Sequence, residues 1–389
     1  MNGLARGAAL AVAVALAACQ GDSLIGPDES SGLVSAAGRA DAAKQGRIVV
    51  MTWNVYVGAA IENALAVPSF DQVPFAVAEV WQEIQDSNFP ARARRIAAEI
   101  DRYRPHLVGL QEINKFYLQL ASDFDPSTFD PGAPATDPLL DFEQELLDAL
   151  AERDLEYKVA IRADNFQLEF PMFNPAAPDS VSDIRLQDHD LLLVRSDVAW
   201  ENAHTGEFAY ALDYGPILGV PIVTPRGWSY ADATVEGLEI RFAVSHLEPA
   251  DIGPGRSVIP DLELLQRAQG AELRSVLTGD LPVVLVGDLN TDAYGSSTQT
   301  YFDFLQSGYV DAHNQGGGWT CCQDGGLGSW PSELDRRVDL VLLNGEFGFD
   351  RPVRGAVQTL IVGNSRSDWT DGLAPSDHAG VVAILRLAD

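Results

Sequence analysis

Cysteine and basic residues are scarce in this chain of 389 residues, and each scarcity removes a class of protein. Cysteine occurs only at positions 19, 321 and 322, so the chain carries neither a disulfide-stapled scaffold nor a four-ligand zinc site built on C-x-x-C spacing. Lys and Arg number 26 against 56 Asp and Glu, a formal net charge of −30. A field of that sign repels polyanions, and affinity for a phosphate backbone comes mainly from Lys and Arg. Tight, non-specific nucleic-acid binding is therefore not expected. The apolar run Ala8 to Ala18, behind a short start containing Arg6, is too short to span a bilayer as a mature helix and reads as a secretory signal. What is abundant is ordinary: 46% hydrophobic and 21% charged residues describe a globular chain, large enough for one big domain or two smaller ones.

The signal-like run closes with Leu16-Ala17-Ala18-Cys19, which resembles the lipobox of bacterial lipoproteins. The resemblance implies a signal over residues 1–18, lipidation of Cys19, and attachment to a membrane through that lipid. The protein is then expected in the bacterial cell envelope, at the outer membrane or in the periplasm, or secreted. An ordinary signal peptide is the alternative. Residues 19–46 are rich in Gly, Ser, Ala and Asp and read as a flexible tether, with the working domain at 47–389. Between Lys115 and Arg153 lies an acidic, Pro-rich insert without a basic residue, read as a solvated loop. Adjacent Cys321 and Cys322 form either a vicinal disulfide or two thiols.

Apolar patterning predicts strands at Ile48–Trp53, Leu107–Leu110, Tyr157–Ile161, Leu191–Val194, Ile240–Ser245, Val283–Val286, Val338–Leu343, Val357–Val362 and Val381–Leu387. Helical periodicity falls at Ala91–Tyr103, Leu139–Ala151, Leu262–Thr278 and Thr298–Gln306. Both types are spread over the whole length with no repeat, so one mixed α/β domain with sheets inside and helices outside is expected, acting as a monomer.

Nearly every predicted strand delivers a polar residue. Asn54 follows the first, Gln111-Glu112 the second, His246 the fifth, and Asp288 and Asn290 the sixth; Asp339 lies in a seventh, and Asp377-His378 opens the last. Singly, such residues are common turn formers. Asp339 is different, because a carboxylate within an apolar strand needs a partner. In order, Asn54, Gln111-Glu112, His246-Leu247, Gly287-Asp288-Leu289-Asn290, Arg337-Val338-Asp339 and Ser376-Asp377-His378 resemble the signature of the endonuclease/exonuclease/phosphatase superfamily, the deoxyribonuclease-I-like fold.

That resemblance implies a four-layer α/β sandwich of two mostly antiparallel sheets packed face to face and flanked by helices, with its site in a cleft. It implies a phosphate-ester substrate and a divalent metal, Mg²⁺ with Mn²⁺ or Ca²⁺ as substitutes, held by Glu112, Asn54 and Asp377; hard oxygen ligands suit such an ion. His378 paired with Asp339 would accept a proton, Asp288 would align the attacking water or act as the base instead, and Asn290 and His246 would hydrogen-bond the phosphoryl oxygens. Asp188 is expected to begin a strand, where the resemblance implies an acid that supports His246 as a second acid–imidazole pair; a solvated strand-end acid is the alternative. Arg336 and Arg337 are read as braces, His106, His189, His204 and His313 as surface or turn residues. Trp319 and Trp330, in a loop resembling a TCCQ loop of secreted members, either stack on substrate or pin the loop. Asn290 is followed by Thr291-Asp292 rather than a basic residue, which disfavours the inositol-polyphosphate branch; "RGWSY" at 226–230 is the one weak candidate for a membrane-entering hairpin. A nuclease acting on extracellular DNA or RNA, and a non-catalytic binding lipoprotein, remain as alternatives.

Overall fold

The computed structural model describes residues 46–174, 180–250, 259–295, 298–313, 318–323, 326–328, 330–331, 333–347 and 356–387. The expected signal, Cys19 and the tether up to residue 45 lie outside the described residues, as do Gly316 and Gly317.

Continuous apolar runs become the strands of two sheets. The first is seven-stranded and runs β14 (Val357–Val362), β15 (Gly380–Arg386), β1 (Arg47–Asn54), β2 (Leu107–Gln119), β5 (Val181–Arg195) and β4 (Tyr157–Phe173), with β3 (Asp137–Asp141) added on β2. The second is six-stranded and runs β12 (Val310–Asp311), β13 (Asp339–Asn344), β11 (Val283–Asp288), β10 (Leu238–Ser245), β9 (Gly227–Val235) and β6 (Ala199–Glu207). A separate hairpin joins β7 (Leu212–Ile217) to β8 (Val220–Thr224). β1–β2 and β10–β11 are parallel, and the other named pairs are antiparallel.

Side-chain alternation then decides the layers. Along β1, Ile48 and Val50 face the second sheet and join Phe242, Val244, Val284, Val286 and Val341 in a core between the sheets. Val49, Met51 and Trp53 face the other way, into a core shared with α1 (Val73–Asp86), α2 (Phe89–Tyr103) and α3 (Phe142–Ala151). On the far side, α4 (Pro260–Val276) and α5 (Thr300–Gln306) contribute Leu273 and Phe304 to a third core with Leu285 and Leu340. The order helix, sheet, sheet, helix is the expected four-layer sandwich.

Several elements differ from the sequence expectation. The helix expected from Leu139 starts at Phe142, because 137–141 pair with β2 and the Asp141 side chain caps the helix by accepting from Gln144 N. Helix α1 was not expected, nor were β3, β6 to β9 and β12; in β3, β6, β7, β8 and β12 exposed positions dilute the apolar pattern, and in the largely buried β9 polar and small residues do. β2 does not end before Gln111: it runs on to Gln119 through a bulge between Leu110 and Ile113. Asp188 lies inside β5 rather than at its start.

The two sheets meet closely at Gly109. A Cβ there would sit 2.6 Å from Val286 and 2.9 Å from Val244, so the absent side chain lets β2 approach β10 and β11. Gly109→Val is expected to overpack this junction and lower stability by about 1–3 kcal/mol. Urea unfolding checks this, and an unchanged midpoint would show that the sheets yield freely at that point.

Candidate active site

The paired strands bring the polar residues to one place. In the register of β11 with β13, Asp288 stands opposite Asp339; in that of β1 with β2, Asn54 stands opposite Gln111. Glu112 follows on the β2 bulge, where φ is +58°. A bulge re-aims a side chain that regular pleating would send elsewhere. Tyr56 (φ +61°) and Asn290 (φ +48°) share this left-handed backbone region, which non-glycine residues adopt at some cost and which clusters at functional sites. Gly287 carries φ +150°, and a Cβ on it would collide with the Ser245 carbonyl on β10, so only glycine lets the strand deliver Asp288 here.

Asp288 Oδ2 is the meeting point. It lies 3.2 Å from Asn54 Nδ2, 3.5 Å from His246 Nε2 and 3.8 Å from His378 Nε2, while Oδ1 accepts from Asn290 N at 3.0 Å. Burial works to raise this carboxyl, but the His378 and His246 imidazoles and the donors Asn290 and Asn54 outweigh it and hold it below the usual range. Asn54 Nδ2 also donates to Glu112 Oε1 at 2.9 Å, and Glu112 Oε2 accepts from Val57 N at 3.0 Å. Asp377 stands beside this group. Burial pushes its carboxyl up to about 7, opposed by His378 and assisted by the Glu112 charge.

His378 Nδ1 lies 2.8 Å from Asp339 Oδ2, so the expected acid–imidazole pair is present. Burial pushes Asp339 up to about 6 against the pull of His378. For His378 burial favours the neutral ring, yet the charges of Asp339, Asp377 and Asp288 win and raise its proton affinity. Trp53 Nε1 donates to the His378 carbonyl at 2.9 Å, and Ser376 Oγ donates to the Asn54 carbonyl at 2.7 Å, tying the Ser376-Asp377-His378 segment to β1. Asn290 Nδ2 donates to the Leu247 carbonyl at 2.9 Å.

One expected pair fails. His246 Nδ1 lies 2.9 Å from Arg226 Nη1 and Nε2 faces Asp288, whereas the Asp188 carboxylate accepts from Asn165 Nδ2 at 2.9 Å. A guanidinium only donates, so Nδ1 must be the acceptor and the proton sits on Nε2. Burial and then Arg226 push the His246 pKa down to about 3, keeping the ring neutral. Asp188 is buried on β5, and burial pushes it up to about 6. Other readings fare variously. Arg337, read as a brace of the Asp339 strand, pairs with Asp311 on the neighbouring β12, and Arg336 Nη2 contacts both cysteine sulfurs. His106 and His189 are buried rather than superficial. "RGWSY" is no exposed hairpin but the entry into β9. Trp319 packs edge-on to Tyr294 and Trp330 to Trp369, which pins them, though both stay half-exposed.

The Endonuclease/Exonuclease/phosphatase family matches residues 51–378. The chain belongs to that family. No curated protein shows a significant sequence match. Among solved structures, this family member is similar to truncated TDP2 from Caenorhabditis elegans, with 15% identity over 87% of this chain and 97% of the other and a TM-score of 0.45. It is similar to the mannosyl-6-phosphatase of Bacteroides thetaiotaomicron, with 16% identity over 86% of this chain and 98% of the other at a TM-score of 0.46. A family protein from Beutenbergia cavernae gives 20% identity, 89% and 72% coverage and a TM-score of 0.47.

Sequence reasoning missed two cations of this family member. Arg92 on α2 is buried and donates to the carbonyls of Ser87, Val55, Tyr56 and Pro375, clamping the segment after Asn54 to the one before Ser376. In the sequence it is one Arg of "ARARR" on an amphipathic helix, with nothing to separate it from its exposed neighbours. Arg226, at the mouth of β9, holds His246 and lies 3.3 Å from Glu248, within the field of Asp188 and Glu112. Its signal was its position, a lone basic residue immediately before the strand that pairs with the His246 strand. Arg226→Met is expected to cost about 3–5 kcal/mol, since it leaves buried carboxylates without their cation. Urea unfolding of this variant beside Arg226→Lys tests the charge, which predicts partial recovery in the lysine form.

Proposed function

We propose that the protein is a divalent-metal-dependent phosphoesterase that hydrolyses a phosphodiester or phosphomonoester by attack of an activated water. The observation that carries this reading is the convergence of an Asp339–His378 pair, at 2.8 Å, and an Asn54–Glu112 pair, at 2.9 Å, on the single carboxylate of Asp288. Family membership supports ester-of-phosphate chemistry in general.

The residues suit a hard cation. Glu112, Asp377 and the Asn54 side-chain oxygen are oxygen donors, and Asp377, whose carboxyl is raised by burial and then by the Glu112 charge, would be held ionised by a divalent ion. Glu112, with Asn54 and Asp377, would hold Mg²⁺, with Mn²⁺ or Ca²⁺ as substitutes. When bound, such an ion neutralises charge on the phosphoryl oxygens.

The chain's own groups supply the rest. In its neutral form His378 donates Nδ1–H to Asp339 and offers Nε2 to a water proton, and the neighbouring carboxylates that raise its proton affinity stabilise the imidazolium that forms. Asp288 stands 3.8 Å from that nitrogen, placed to orient the same water. Its oxygens already accept from Asn290 and Asn54, so His378 is the better base. The water oxygen bonds to phosphorus as the ester oxygen leaves. The neutral His246 presents Nε2–H, and with the Asn290 side chain would hydrogen-bond the phosphoryl oxygens as charge builds there.

The acidic surface favours a small or lipid-linked phosphate over duplex nucleic acid, and extracellular DNA or RNA is the alternative substrate. We place the enzyme outside the cytoplasm, tethered by a lipid on Cys19, from the sequence of the first residues alone. Among the described residues no helix is long and apolar enough to cross a membrane.

Turnover of bis-p-nitrophenyl phosphate should require Mg²⁺ and stop with EDTA; equal turnover without metal would refute the proposal. His378→Ala should fold normally by circular dichroism and lose about 10²–10⁴-fold in kcat, the usual contribution of a general base. Near-wild-type kcat would remove His378 from the mechanism.

A further inference from the structure

The hydrolytic reading makes no use of the cysteines, yet they lie against its centre. Cys321 and Cys322 are joined in a vicinal disulfide. Cys322 Sγ lies 3.9 Å from Nε2 of His378, on the nitrogen that Asp339 leaves open. Cys321, Cys322 and His378 each offer a ligand atom, all within 4.8 Å of one another. Arg336 Nη2 lies 3.3 Å and 3.2 Å from the two sulfurs, a cationic neighbour of the kind that favours thiolate over thiol. The segment is held firmly: Thr320 N and Cys321 N donate to the Arg336 carbonyl, Gln323 N to that of Asp377, and Ala379 N to that of Thr320.

We propose that the reduced Cys321–Cys322 pair and Nε2 of His378 form a three-ligand site for a soft, thiophilic divalent cation of the Zn²⁺ class, and that filling it withdraws His378 from hydrolysis. The withdrawal rests on the hydrolytic role given to His378 above; the binding does not. Two thiolates and an imidazole are a donor set for borderline or soft ions, chemically distinct from the oxygen donors of Glu112, Asn54 and Asp377. In the oxidised protein Cys322 Sγ already stands 3.9 Å from Nε2, near the S to N separation of about 3.6 Å around tetrahedral zinc. Reduction frees the two sulfurs to part and chelate one ion. The second requirement of a histidine ligand, a carboxylate on its other ring nitrogen, is met by Asp339 at 2.8 Å.

The chemistry balances with a thiol or phosphine reductant. It delivers two electrons to the S–S bond and is itself oxidised, and two protons complete the thiols. Those protons are released when both sulfurs bind the cation as thiolates. While the disulfide is intact the sulfurs have no such charge to offer, so the site exists only in the reduced protein.

The test uses the whole chain and Cd²⁺, whose thiolate charge-transfer absorption reports sulfur ligation without reference to activity. Protein reduced with a phosphine and freed of it should take up about one equivalent of Cd²⁺ with that absorption. Oxidised protein and reduced Cys322→Ser should not develop it. Mg²⁺-supported turnover of the reduced protein should fall to a few per cent as the band saturates, and return on chelation and fresh Mg²⁺. Absence of the band in reduced protein, or an equal band in oxidised protein, overturns the site; the oxidised–reduced comparison decides this even where Cys322→Ser fails to fold. A saturated band with undiminished turnover overturns the withdrawal of His378. A band in a protein that never hydrolyses any phosphoester supports the metal site and sinks the hydrolase reading instead.

Discussion

One carboxylate joins the two halves of this protein. Asp288 arrives on β11 of the second sheet, and its Oδ2 receives Asn54 from β1 of the first, with the imidazoles of His246 and His378 on either side. It can do so because Gly287 has no Cβ to strike β10, and because Gly109 lets the sheets close on each other. The site is a consequence of how tightly two sheets pack, and its residues have no other reason to meet.

Burial makes that meeting electrostatically demanding. Asp188, Asp288 and Asp339 are withdrawn from water and Asp377 is partly so, and an unpartnered carboxylate there is costly. Different partners resolve the cost. Asp339 leans on His378, Asp288 on several donors, Asp188 on Asn165 and the field of Arg226. Asp377 has least relief, and its proton affinity rises accordingly. Such uneven environments let like groups take different roles, some charged and aligned, others poised to receive a proton or an ion.

The loop that carries Thr320 to Gln323 serves the site as a strap. Its backbone bonds reach the strand of Asp339 on one side and the segment of Asp377 and His378 on the other, and Thr320 Oγ1 accepts from Asp339 N. The sulfurs therefore sit beside the imidazole as a result of the same bonds that place it. Arg92 acts similarly from the helical side, gathering carbonyls from two segments that flank Asn54 and Ser376.

Much of this was legible in the chain alone. Apolar runs announced nine of the strands because a strand buried on both faces must be apolar throughout, and the α/β sandwich followed from their interleaving with helices. The acid within "RRVDLVLL" signalled a partner, and His378 is that partner. Legibility stopped where a residue's surroundings come from distant sequence. Nothing local distinguishes Arg92 from surface arginines, and the bulge that turns Glu112 into the site shows only in the register with β5. Asp188 was paired with His246 from the family resemblance; in the fold, Arg226 takes that ring nitrogen and Asn165 takes the carboxylate. Sequence by itself determined which apolar runs form the core strands and which of them carry acids and imidazoles, since hydrophobic period and residue chemistry are local properties. Which acid faces which imidazole was decided only by the tertiary structure, because a hydrogen bond depends on separations of a few tenths of an ångström between groups hundreds of residues apart.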